Sequence, residues 1–166
     1  MARVDPPIAA DERSMLLAFL DYQRETMIWK ADGLNEEQAR YAPGPPENSL
    51  ASLIQHLAYV ERWWFRICFA GETDVELPWS QEDPDSDFRV PEGTPFGDVV
   101  AFYRSEFERA NEIVRNASSL EETSKVPAHG EHPTLRWILL HMIEETARHA
   151  GHADITRELV DGVKGE

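Results

Sequence analysis

Cysteine is all but missing from this chain. The 166 residues include one, Cys68, so no internal disulfide can form. Cys68 sits in the aromatic-rich helical segment WWFRICF and reads as a small buried hydrophobe rather than a nucleophile. Long apolar runs are also absent, which excludes a membrane-spanning helix of about 18 residues or more. Basic residues are scarce: 16 Lys and Arg stand against 31 Asp and Glu, a net charge of −15. Nucleic acid and anionic membrane surfaces both need a basic patch, so neither is an expected partner. The excess of acid reads as a device for solubility. The opening MARVDPPIAADERS has no apolar signal region, and a cytosolic protein is expected. No internal repeat is visible, and the length suits a single domain over 1–166 with a full core.

What is present is helical periodicity. Asp11 or Ser14 caps a first helix to about Asp32, with Leu16, Leu17, Phe19, Leu20, Met27 and Ile28 as apolar positions and Gly33 as the stop. Asn35 caps the short turn EEQAR, and the prolines of YAPGPPEN make a loop. Asn48 or Ser49 opens a second long helix ending at Gly71, whose inward face is Leu53, His56, Val60, Trp63, Trp64 and Ile67. The acidic connection 72–95 is longer than an ordinary loop and reads as a functional cover or a crossover, anchored by Trp79 and Phe88. Its Asp83, Asp85 and Asp87 lack the Gly and Glu that a calcium loop requires. A third helix runs from Pro95 or Phe96 to Ala117 on Val99, Phe102, Tyr103, Phe107 and Ile113. His129 and His132 fall in the loop before the fourth helix and read as solvated. The prediction is an all-α four-helix bundle with a long connection between its second and third helices. Trp63, Trp64, Phe65 and Phe69 make the second helix apolar on more than one face, which predicts a homodimer unless the 72–95 loop covers them.

The chemistry concentrates in the fourth helix, Thr134–Gly162. It carries His141, Glu145, His149 and His152 within roughly 80° of arc. Ile138, Met142 and Leu159 point the same way, so the stripe faces a core. Ionisable groups there must be paired, neutralised or bound to metal. Glu145 and His149 are one turn apart and meet. His56, alone in an apolar stripe of the second helix, is the natural third ligand. Two nitrogens and one oxygen leave a coordination position open on a divalent metal, Zn²⁺ or Ni²⁺, and an open position points to catalysis. His152 reads as a fourth ligand, a partner of a ligand or an acid/base group, and His141 as a group that orients Glu145. A dinuclear centre is disfavoured, because Glu61 stands at the wrong spacing from His56 and the third helix has Glu106, Glu108 and Glu112 but no histidine.

Two stretches carry a resemblance. Leu-Ile-Gln-His-Leu-Ala-Tyr-Val-Glu-Arg-Trp-Trp at 53–64 and Arg-Trp-Ile-Leu-Leu-His-Met-Ile-Glu-Glu-Thr-Ala-Arg-His-Ala-Gly-His-Ala-Asp at 136–154 resemble the DinB superfamily of metal-binding four-helix bundles. The similarity is to an actinobacterial branch related to the N-terminal domains of mycothiol-dependent maleylpyruvate isomerases, which replace the middle histidine of the usual metal triad by glutamate. The resemblance implies His56, Glu145 and His149 as metal ligands, and it puts His152 where many relatives have Gln. It implies transfer or isomerisation using mycothiol or bacillithiol, with the metal depressing the thiol pKa. On this reading His152 is the catalytic acid/base, and Trp63 and Trp64 line the pocket for the thiol and a small electrophile. Metal-dependent hydrolysis and a non-catalytic metal-binding stress or interaction role are the alternatives.

Overall fold

The computed structural model describes residues 3–164. The elements are α1 (Glu12–Ala31), α2 (Glu36–Arg40), α3 (Leu50–Glu61), α4 (Phe96–Asn116) and α5 (Leu135–Asp161), and α3 continues as a π-helix over Arg62–Phe69. Among the described residues there is no strand beyond the isolated bridges Thr123↔Thr134 and Ala128↔Glu131. The four long helices form the expected all-α bundle, with α1 packed mainly on α5 and α3 on α4. No described helix is long and apolar enough to cross a membrane.

The helix boundaries follow from side chains that satisfy orphan backbone donors. Asp11 accepts from Ser14 N–H, Ser49 from Ser52 N–H and Thr134 from Trp137 N–H. Asn35 and Gln38 complete a reciprocal capping box that fixes α2. Gly162, at φ 77°, closes α5 in the left-handed region.

The core divides into two apolar clusters. One gathers Leu50, Leu53, Ile54 and Leu57 of α3 with Tyr103 and Phe107 of α4. The other gathers Phe65, Cys68 and Phe69 with Val114, Leu135, Ile138 and Met142. Each such side chain contributes about 1.5–3 kcal/mol on burial. Between the clusters lies a charged layer: Arg24 and Glu61 are both fully buried and paired at 2.6 Å.

The π-helix changes which residues face inward. Ala70 N–H donates five residues back to Phe65 C=O and Glu72 N–H six back to Arg66 C=O. In an α-helix a four-residue step drifts by about 40°, whereas a wider turn brings it closer to alignment. Accordingly Val60, Trp64 and Cys68 are buried together, as are Glu61, Phe65 and Phe69. Ile67 and Trp63, expected inside, are half-buried. The segment 125–126 closes the helix end: Lys125 N–H and Val126 N–H both donate to Cys68 C=O, at 3.0 and 2.9 Å. Gly71 makes this approach possible, since at φ +72° a Cβ there would lie 2.9 Å from Lys125 Cβ.

Two further expectations are corrected. Phe19 is exposed on α1, where Arg24 and Lys30 occupy inward positions instead. Leu159 is exposed because the inward face of the last turns of α5 is Ala153, Thr156 and Arg157. Phe65, Phe69 and Trp64 are buried within the chain.

Candidate metal centre

His56 projects from the middle of α3 toward α5, where Glu145 and His149 stand one turn apart. Glu145 Oε1 lies 3.2 Å from His149 Nε2 and 3.4 Å from His56 Nε2. The three candidate ligand atoms all lie within 4.8 Å of one another. Two helices therefore bring two imidazoles and one carboxylate to a common point, as the sequence pattern predicts.

The loop 72–95 completes the centre. Residues Ser86–Phe88 form a single 3₁₀ turn against α3. Gln55 Nε2 donates to the Asp87 carbonyl at 2.7 Å, and Asp87 Oδ2 lies 2.7 Å from His56 Nδ1. An ionised carboxylate only accepts, so His56 Nδ1–H donates to Asp87, and Nε2 is the ring nitrogen that faces Glu145 and His149. Phe88 stacks on the other side of the ring, centroids 3.9 Å apart and planes 11° from parallel. The long connection is thus a cover whose Asp87 and Phe88 fix the ring of His56.

The electrostatics suit a cation. Hydrogen bonds from His149, and then from His56, hold the Glu145 carboxyl well below the usual carboxylate range. Burial pushes His56 down, but its hydrogen bonds to Asp87 and Glu145 outweigh that and raise it. Glu145 meets no Lys or Arg among the described residues. Among the described residues His149 Nδ1 is buried with no hydrogen-bond partner, while Nε2 faces Glu145. Two neutral imidazole nitrogens and one carboxylate oxygen form a donor set suited to Zn²⁺ and similar divalent ions.

Two of the acidic groups that a dinuclear centre would draw on are engaged elsewhere. Glu61 is bound by Arg24, and Glu106 by Arg62 and Arg66 at 2.7 and 3.1 Å. Beside His56 opens a cavity of about 230 Å³, lined by Trp63, Trp64, Trp79 and Phe88 among others. His152 is exposed, with its ring 5.7 Å from that of His149. His141 stands apart from Glu145: it lies against Trp64 and Trp137, at 4.7 and 5.1 Å between centroids, and burial lowers its pKa. His129 is exposed, while His132 is tied to the Ser124 carbonyl at 2.8 Å.

Asp87 is the residue that sequence reasoning missed. The usable signal was chemical: a metal-binding histidine wants a carboxylate on its second nitrogen, and the acidic loop offers several. Replacing Asp87 by Asn is expected to weaken metal affinity about 10–100-fold while leaving helicity intact. Chelator competition checks this, and unchanged affinity would remove Asp87 from the centre.

A family model described as mycothiol-S-transferase matches residues 15–162. No curated protein matches the chain. Among solved structures the chain is similar to a conserved protein from Enterococcus faecalis, at 17% identity and a TM-score of 0.66, over 93% of this chain and 100% of that one. At that identity the likeness shows the fold alone.

Proposed function

Because the chain belongs to the mycothiol-S-transferase family, a DinB-like family, we propose that it joins a low-molecular-weight thiol to a small electrophile. The observation that carries this reading is the convergence of His56, Glu145 and His149 beside an aromatic cavity. These three side chains would hold Zn²⁺ or Ni²⁺. A divalent cation held there would favour thiolate over thiol near neutral pH.

The chain's own residues supply the rest. Asp87 and Phe88 hold His56 in one ring orientation. Trp63 and Trp64 form an apolar wall on which the electrophile sits next to the sulfur. His152, exposed beside His149, takes up the thiol proton. The S–C bond then forms, and a displaced group leaves with the electron pair of its bond to carbon. In an addition, the same proton returns to the neighbouring carbon. Mycothiol is the first candidate and bacillithiol the second. The reducing cytosol, where such thiols persist, is the compartment this reading needs.

The test incubates metal-loaded protein with either thiol and monochlorobimane. Metal-dependent conjugation is expected. It should be lost in His56→Ala and lowered about 100-fold in His152→Gln with metal content retained. Absence of conjugation with both thiols, together with metal-dependent ester or amide cleavage, would favour a hydrolase. Silence in both assays would favour a non-catalytic metal-binding protein.

A further inference from the structure

Helix α5 has an apolar outward face as well as the side that carries Glu145 and His149. Trp137, Leu140, Ile155 and Leu159 lie within roughly 100° of arc, spread over about 33 Å of its axis. They are between 46 and 61% exposed, although Leu135, Ile138, Leu139 and Met142 already supply the helix with a buried face. Trp137 is held in place: it stacks on His141 with planes 19° apart and leans on Trp64 at 5.3 Å between centroids. A fixed, exposed indole is a common anchor of protein–protein contacts.

The stripe is symmetric about Arg148. Trp137 lies eleven residues before it and Leu159 eleven after, Leu140 eight before and Ile155 seven after. Nearest the centre, Glu144 stands four before and Gly151 three after. A two-fold contact between identical surfaces requires this pattern, since residue i must meet residue j while j meets i. The charges obey the same symmetry. Glu144 and Arg148 are both exposed and pair within the chain. In an antiparallel pair of these helices, Glu144 of each copy comes within about 6 Å, measured along the axis, of Arg148 of the other. The centre then holds equal charges of both signs. The chain as a whole has 31 acidic and 16 basic residues, so most of its surface repels a second copy, whereas this stripe carries no net charge. A Cβ built on Gly151 meets nothing, which leaves room for the side chain of a helix laid across it.

We propose that this stripe is the interface between two copies of the chain, their α5 helices packed antiparallel about a two-fold axis at Arg148. Two clefts of similar size support it. One of about 490 Å³ opens beside Trp137, walled on its other side by residues 128–133. The other, of about 460 Å³, opens beside Leu159, walled by Tyr41 at the end of α2. They lie at opposite ends of the same helix face. Antiparallel pairing brings the Trp137 end of each copy to the Leu159 end of the other, so a single contact covers both clefts of both copies. The cleft walls extend that contact beyond one helix pair, as the roughly 800 Å² per partner of a stable interface requires. Trp64, Phe65 and Phe69 take no part, being buried within the chain.

The experiment is sedimentation velocity on the full chain at micromolar concentration. The parent is expected to sediment as a species of twice 19.0 kDa. Glu144→Arg leaves only arginine at the centre of the contact and Arg148→Glu leaves only glutamate, so each alone should weaken the dimer at least about tenfold. Both side chains are exposed, and circular dichroism of each variant should match the parent. Mixing the two variants restores opposite charges across the axis and should regain the dimer as a heterodimer. Ile155→Asp, at an exposed apolar position, should dissociate the parent as well. A parent that sediments as a monomer, a dimer that persists in any of the three variants, or a failure of the two charge variants to associate on mixing overturns the proposal.

Discussion

Replacing His149 by Ala is expected to strip the protein of its bound metal. His149 supplies one of three converging donors, and the remaining pair, His56 and Glu145, comes from two different helices. Loss of a partner behind a ligand typically costs 10–100-fold in affinity, so loss of a donor itself should cost more. Metal content should fall from one ion per chain to a trace after dialysis. The helix should survive, because Ala is the strongest helix former. Unchanged circular dichroism with lost metal is therefore the expected pair of results. His152→Gln is the control: its ring is exposed and outside the converging set, so metal should stay. Metal retained in His149→Ala, or lost equally in His152→Gln, would require a different ligand set.

The convergence of these three side chains was legible in the sequence because it obeys local rules. Glu145 and His149 sit at i and i+4 of a helix whose start is written by Thr134, and helical spacing alone brings them together. His56 needed one further step, the recognition that a lone histidine in an apolar stripe of a facing helix lacks a partner. The boundaries of α1, α2 and α3 were legible for a similar reason, since Asp11, Asn35 and Ser49 cap within three residues of themselves.

What escaped was set by contacts distant in sequence. Asp87 reaches His56 across 31 residues of chain, and nothing local separates it from Asp83 or Asp85. The π-helix escaped because residues 62–69 have ordinary helical composition. Its widened turn shows only in the strict four-residue spacing of Val60, Trp64 and Cys68, which a period of 3.6 does not anticipate. Arg24 escaped because a charged residue mid-helix reads as solvated until its partner, Glu61, is seen on another element.

That buried pair supports the second large prediction: Glu61→Ala should lower the melting temperature by roughly 10 °C, from a loss of about 3–5 kcal/mol. Arg24 donates through Nε and Nη2 to the two carboxylate oxygens of Glu61, both at 2.6 Å, and through Nη1 to Asp21 and Asn111 at 2.8 and 2.7 Å. Phe65 and Phe107 flank the guanidinium, so no water replaces a missing partner. Burial pushes the Glu61 carboxyl up, and the Arg24 guanidinium beside it opposes that shift. Removing either residue leaves the other charged, buried and uncompensated, which is where the cost arises. Removing both is different. Arg24→Met with Glu61→Leu replaces two desolvated charges by apolar volume and should restore most of the stability, since the attraction within such pairs roughly offsets their desolvation. Metal affinity in the double variant should stay near that of the parent, because Asp87 and Phe88, not Arg24, hold the ring of His56. Thermal melts of the two single variants and the double variant, read beside chelator competition, check both halves. A Glu61→Ala melt within about 2 °C of the parent would show that the pair is not the uncompensated charge site it is taken to be.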